Sequence, residues 1–273
     1  MKEDRYNNLV ELSRKLRVNA IKMINKGGSS HVGSVLSIAD ILSVLYGAVL
    51  NFRSSNPKWN NRDRFILSKG HAGAGIYAAL AESGFFSLEM LKDYCKNGSV
   101  FSGHVSHKNI PGIEFSTGSL GHGLPVSCGI AYAAKLDKKT HKIYCLMSDG
   151  ELGEGSNWEA ILFASHHKLN NLIAIIDRNK LQSLKSTEET LKLEPLTNKF
   201  ESFGWSVSEV DGHSHEDLVN NLNHTKSKKP RAIIANTTKG KGVSYMENSV
   251  EWHYRTPLDN DYIQAMKELG ELS

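Results

Sequence analysis

The sequence has few cysteines and lacks signals for export or for a membrane. Its three cysteines are too far apart to form a CxxC pair or a disulfide framework, which is typical of a reducing compartment. The N-terminal stretch MKEDRYNNLVELSRK lacks the apolar core of a signal peptide. The most apolar window, 38–50, is shorter than a bilayer span and contains Asp40. We therefore expect a cytoplasmic protein without a membrane partner.

Neither sign of charge dominates the sequence. With 33 Lys and Arg against 29 Asp and Glu, the net charge is +4, and this small surplus is spread along the chain, so no nucleic-acid partner is expected. Pro and Gly are not in excess and 40% of the residues are hydrophobic, which excludes a disordered or fibrous chain. No linker or repeat divides the sequence, which predicts one domain spanning residues 1–273.

Short apolar runs alternate with helical segments through most of the chain. This alternation implies right-handed crossovers, so we predict an α/β fold with a mainly parallel sheet covered by helices on both faces, in three layers. Capping residues predict two helix starts, at Ser37 and at a capping box of Ser156 and Glu159. Residues 97–124 lack periodicity and predict a long functional loop. The candidate strands are 64–68, 142–147, 172–177, 205–210 and 231–237.

The loop after the 142–147 strand carries a chemical signal. It reads SDGELGEG at 148–155 and lies where ligands bind in parallel sheets, beyond the carboxyl ends of the strands. An Asp at a strand tip followed by Gly lets backbone N–H groups approach a diphosphate while the carboxylate holds a metal, and the nearby helix start favours the anion. Taken alone, the loop is also consistent with an acidic turn that caps a helix.

Asn179 marks a second loop at the same predicted edge of the sheet. It follows Asp149 by 30 residues, the length of one helix and one strand, so both side chains can lie on neighbouring strands. A carboxylate, an amide oxygen, a backbone carbonyl, two phosphate oxygens and a water complete an octahedral shell for Mg²⁺. Asn179 could instead only stabilise a turn. The two loops together favour a bound metal–diphosphate.

These residues resemble a known family. The stretch SDGELGEGSNWEA followed by NLIAIIDRNKLQ resembles the thiamine-diphosphate signature. Further segments are similar to transketolases in order and spacing, from near residue 10 to the C-terminus: SHVG at 30–33, DRFILSKGH at 63–71, GH at 103–104, STGSLGHG at 116–123, TKGKGV at 238–243 and WH at 252–253. The resemblance implies the thiamine-diphosphate-binding fold and transfer of a two-carbon ketol unit from a ketose or its phosphate to an aldose or its phosphate.

The resemblance also implies a role for individual residues. Mg²⁺ would be held by Asp149, Asn179 and the backbone carbonyl of Leu181. Proton transfer and hydrogen bonding to the sugar would fall to His31, His104 and His253. Glu154 resembles the acid that transketolases place at the subunit interface, although an acid stabilising a helix N-terminus is the other interpretation. The cofactor would contact His71, Gly118, Ser119, Leu120, Gly150, Asn179 and His253, and Glu154 is grouped with them.

The resemblance covers the diphosphate-binding module of transketolases and implies an N-terminal subunit of a split enzyme. A C-terminal subunit with the pyrimidine-binding module would be the partner, in an α2β2 assembly. Three positions depart from the family pattern: Ser148 in the GDG run, Val32 where many members have Pro, and residues 182–185 after the metal loop. Alternatives are a subunit of a 2-oxoacid dehydrogenase or of a deoxyxylulose-phosphate-synthase-like enzyme, and a non-catalytic partner that binds cofactor.

Overall fold

A five-stranded parallel sheet lies at the centre of the computed structural model, which describes residues 2–223 and 227–272. The strand order is β1-β2-β3-β5-β4, and every neighbouring pair is parallel. The parallel α/β fold predicted from the sequence is therefore confirmed. The strands are β1 (Arg64–Leu67), β2 (Ile143–Ser148), β3 (Leu172–Arg178), β4 (Ser206–Asp211) and β5 (Arg231–Asn236).

Helices cover both faces of this sheet. Alternate side chains of a strand point to opposite faces, so in β3 Ile173 and Ile175 join one hydrophobic core while Ala174 and Ile176 join the other. The first core lies under α1, α2, α3, α8 and α9, and the second under α4, α5 and α7. The helices are α1 (Lys2–Gly27), α2 (Val32–Val44), α3 (Gly73–Glu82), α4 (Gly123–Leu136), α5 (Gly155–His166), α6 (Thr187–Thr190), α7 (Leu196–Ser202), α8 (His215–Leu222) and α9 (Asp259–Glu268).

Helix α2 is a core element. With the π-helical turn that follows it, it forms an 18-residue segment, Val32–Val49, that by length and composition alone could cross a membrane, yet 83% of it is buried inside the fold. Asp40, in its middle, is paired at 2.6 Å with Arg17 of α1. Its apolar character is what packing between α1, α3 and α8 requires.

The predicted start of this helix at Ser37 is wrong. Helix α2 begins at Val32, after His31 in a left-handed conformation (φ 72°). The Ser37 hydroxyl lies inside the helix, where it is fully buried and donates to a carboxylate oxygen of Asp177 at 2.7 Å. A partner 140 residues away uses the hydroxyl that would otherwise serve as a cap.

The predicted capping box of α5 is also wrong. The helix begins at Gly155 with Glu154 as its N-cap residue, and Ser156 donates to the carbonyl of Gly121 at 2.7 Å. The hydroxyl thus ties α5 to the long loop before α4. That loop agrees with the prediction, because residues 97–122, all within the described part of the chain, contain neither helix nor strand.

Candidate active site

A cleft of about 240 Å³ opens at the carboxyl ends of the strands. It gathers most of the site residues predicted from the sequence into one place. Ser119 and Glu154 are the exceptions: both are exposed and neither lines the cleft. The lining residues are His31, Ser34, His71, His104, Gly118, Leu120, Ser148, Asp149, Gly150, Asn179, Leu181, Gln182, Ser183, Lys239, His253 and Tyr254.

A larger cavity of about 760 Å³ lies elsewhere, between residues 55–64 and 107–114. Its principal charged groups neutralise each other, because the buried Glu114 is paired with Arg62 and lies 3.6 Å from Arg64. The chemically reactive side chains converge on the smaller cleft, which is therefore the candidate site.

Asp149 joins the two loops that form the floor of the cleft. It follows β2, is 2% exposed, and its carboxylate accepts the backbone N–H of Gly150 at 2.7 Å and that of Lys180 at 2.6 Å. Burial, and then the charge of Asp177, raise the pKa of Asp149 to about 7. A buried carboxylate with a raised pKa is stabilised by a bound cation, so this position suits a metal ligand.

Two further oxygens accompany the Asp149 carboxylate. The side-chain oxygen of Asn179 accepts the N–H of Leu181 at 3.1 Å, and the carbonyl of Leu181 accepts a hydrogen bond from Lys239 at 3.2 Å. In the described part of the chain, His, Cys, Asp and Glu side chains form no group of three suited to a metal. Any cation here would therefore be bound by one carboxylate with amide and carbonyl oxygens, a set that suits Mg²⁺ rather than a softer metal.

Asp177 and Lys69 form a fully buried ion pair beneath these ligands, which the sequence analysis missed. Both side chains are 0% exposed. Asp177 also accepts hydrogen bonds from the hydroxyl of Thr237 and, at 3.0 Å, from the side-chain N–H of Asn179. This last bond fixes the orientation of the Asn179 amide. Burial alone would raise the pKa of Asp177, but the Lys69 charge and the donated hydrogen bonds outweigh it and hold that pKa below its ordinary value.

Lys239 is a second buried lysine that the sequence analysis did not single out. It is 1% exposed, donates to the carbonyls of Leu181 and Gln182, and lies 3.1 Å from Nδ1 of His253. Burial and the nearby charge of Lys69 lower the pKa of Lys239 to about 8. The sequence signal was present in TKGKGV, but only the whole segment was compared there. Two cations beside the cleft suit an anionic ligand such as a diphosphate.

Close backbone approach shapes the opposite side of the cleft. A Cβ on Gly118 would lie 3.1 Å from the imidazole of His104, and one on Gly150 would lie 2.8 Å from the side chain of Gln182. Both sites thus need the smallest residue. The buried Glu151 accepts the N–H of Gly121 at 3.0 Å and thereby holds the 118–121 segment against the loop after β2.

Four histidines surround the open end of the cleft. The ring of His31 lies 5.1 Å from that of His71, 5.7 Å from that of His104 and 4.8 Å from that of His253. Burial, with the charges of neighbouring groups, lowers the pKa of His31 to about 4 and that of His253 to about 3. Both are therefore neutral at pH 7, and each offers one hydrogen-bond donor and one acceptor to a hydroxylated ligand.

Comparison with known proteins assigns a family to this arrangement. The family model for the transketolase, thiamine diphosphate binding domain, matches residues 8–271. One of the two subunits of the apulose-4-phosphate transketolase of Phocaeicola vulgatus is 43% identical over 262 residues, 95% of this chain and 92% of the relative. A 6-deoxy-6-sulfo-D-fructose transketolase subunit of a Clostridium species is 39% identical over 256 residues, 93% of each chain.

Larger transketolases match over a part of their length. The solved transketolase of Campylobacter jejuni superposes with a TM-score of 0.91 at 37% identity, over 97% of this chain and 43% of that one. Human transketolase is 39% identical over 96% of this chain and 42% of its own length. The chain thus spans about two fifths of these proteins and more than nine tenths of the subunit relatives.

Proposed function

The chain belongs to the transketolase family, and we propose that it is the thiamine-diphosphate-binding subunit of a two-chain transketolase. The observation that carries the proposal is the convergence, in one cleft, of a metal-ligand set, two buried lysines and four histidines. The reaction is transfer of a two-carbon ketol unit from a ketose to an aldose. Family membership removes the support for the 2-oxoacid dehydrogenase and deoxyxylulose-phosphate alternatives, and the complete cleft argues against a non-catalytic partner.

We assign the floor of the cleft to Mg²⁺ and to the diphosphate of the cofactor. Asp149, Asn179 and the carbonyl of Leu181 hold the metal, while the N–H of Gly150 and the buried Lys239 neutralise the phosphates. His71, Gly118 and Leu120 contact the cofactor from the other walls. When bound, thiamine diphosphate supplies the carbanion chemistry that cleaves the carbon–carbon bond beside the ketose carbonyl.

The histidines handle the hydroxyls and protons of the sugar. Because His31 and His253 are neutral, each can accept a proton from a sugar hydroxyl or hydrogen-bond it without a change of charge. His104 lies beside Gly118, where it faces the same volume. The relatives named above act on a sugar phosphate and a sulfonated sugar, so we propose a ketose with an anionic terminal group as donor.

We expect this chain alone to be inactive and to require a second polypeptide. The cleft is smaller than the roughly 300–1,000 Å³ of sites that enclose a drug-sized ligand, so a second surface is needed to bury the cofactor. That surface is the pyrimidine-binding subunit, in an α2β2 complex of the cytoplasm. Mixing the chain with a co-purified partner, measuring the mass in solution and assaying ketol transfer tests the proposal. Full transfer by the 273-residue chain alone would refute it.

We expect His104→Ala to separate substrate handling from cofactor binding. The variant should keep thiamine diphosphate affinity within about threefold, while kcat/KM for a ketose donor falls by about 100-fold, a typical loss for one proton-transfer or hydrogen-bonding group. Calorimetry and steady-state kinetics on the assembled complex measure both. His166→Ala is the matched control, because His166 is exposed on α5 and should leave both values unchanged. Equal losses of cofactor affinity and turnover in His104→Ala would place this residue at the diphosphate.

A further inference from the structure

Tyr254 lines the cleft but has no role in the site as described so far. It is 62% exposed, although it directly follows His253 and contributes to the cleft wall. An aromatic ring at the mouth of a polar cleft offers a flat apolar face and, in tyrosine, a hydrogen-bonding tip, which are common elements of small-molecule sites.

The exposed position of this ring is built into the fold. On one side of it, the carbonyl of His253 accepts the N–H of His31 at 2.9 Å. On the other side, the hydroxyl of Thr256 donates to the carbonyl of Ser29. The backbone is therefore tied to the start of α2 both before and after Tyr254, and a loose loop does not account for the exposed ring.

The ring also has a defined place relative to the histidines that handle the sugar. Its centroid lies 4.7 Å from that of His253, at an interplanar angle of 76°, and 5.9 Å from that of His31. Within the described residues its phenol oxygen makes no hydrogen bond. The ring thus adjoins the two side chains that would bind sugar hydroxyls, and its polar tip is available to a ligand.

We propose that Tyr254 is a specificity-determining residue that packs against the C–H face of the sugar, on the carbons beyond those that react. The inference rests on the proposed function and adds to it the group that recognises the sugar chain. A sugar presents C–H groups between its hydroxyls, so an apolar ring next to hydroxyl-binding imidazoles can contact both kinds of surface at once. The phenol hydroxyl donates to a sugar hydroxyl or accepts from one.

Two variants of the assembled two-chain enzyme test this inference. With D-xylulose 5-phosphate as donor, we expect Tyr254→Ala to raise KM about 10-fold, while kcat, thiamine diphosphate affinity and the mass of the complex stay unchanged. Tyr254→Phe keeps the ring and should stay within about threefold of the parent KM. The matched control is Leu258→Ala, because Leu258 is 50% exposed in the same segment and does not line the cleft.

The outcomes distinguish the sugar from a partner chain as the occupant of the ring. An unchanged KM in an active Tyr254→Ala enzyme overturns the inference. A complex weakened in both Tyr254→Ala and Leu258→Ala also overturns it and assigns the ring to the partner surface. If the parent complex transfers no ketol unit, the proposed function itself fails, and saturation-transfer NMR with the same sugar decides. Sugar signals that weaken in Tyr254→Ala alone support the contact, and signals that persist in it refute the contact.

Discussion

Asp149→Ala in the assembled enzyme is expected to abolish thiamine diphosphate binding at millimolar Mg²⁺. The change removes the only ionised protein ligand in the proposed metal shell, and Mg²⁺ depends on such a carboxylate to offset the loss of its water ligands. Loss of a group that merely orients a metal ligand typically costs 10- to 100-fold in affinity, so loss of the carboxylate itself should exceed about 100-fold. Calorimetric titration of the complex with cofactor and Mg²⁺ measures this loss directly.

A carboxylate removed elsewhere provides the control. Asp137 is exposed at the end of α4, and Asp137→Ala should leave cofactor affinity unchanged. The paramagnetic signal of Mn²⁺, titrated in place of Mg²⁺, reports metal binding without any turnover. Unchanged affinity for Mn²⁺ and cofactor in Asp149→Ala would move the metal away from the loop after β2.

Much of the fold is predictable because its determinants are local. An apolar run of six or seven residues between helical segments specifies a buried parallel strand through its own composition, and the five runs in this sequence became β1 to β5. The helix starts were less predictable. The hydroxyls of Ser37 and Ser156 have the chemistry of caps, but Asp177 and the carbonyl of Gly121 bind them instead. A cap is a weak local preference that one tertiary hydrogen bond can override.

The site divides along the same line. Asp149 and Asn179 could be placed together because strand order brings the ends of neighbouring parallel strands to one edge. The pairing of Lys69 with Asp177 joins residues 108 positions apart, and neither has a local pattern that marks it as buried. A buried lysine looks like a surface lysine in sequence, and only the packing of α2 over the sheet shows that its charge needs a partner.

We expect Asp177→Ala to be the most destabilising single change beneath the cleft. It leaves the Lys69 ammonium buried without its counter-charge, and breaking a buried ion pair from one side typically costs about 3–5 kcal/mol in the free energy of unfolding. Urea unfolding of the chain measures the loss. Because the pKa of Asp177 is held below its ordinary value, its contribution is present above that value and is lost as the pH falls. The difference between parent and variant should therefore shrink below about pH 4.

The double variant Lys69→Met with Asp177→Asn separates charge pairing from ligand orientation. It removes both charges but keeps a side chain that can accept from the Asn179 amide, so we expect it to regain more than half of the stability that Asp177→Ala loses. It should still bind Mn²⁺ about 10-fold more weakly than the parent, because a neutral partner holds the Asn179 oxygen less firmly toward the metal. A double variant no more stable than Asp177→Ala would show that the hydrogen bonds, and not the unpaired charge of Lys69, account for the loss.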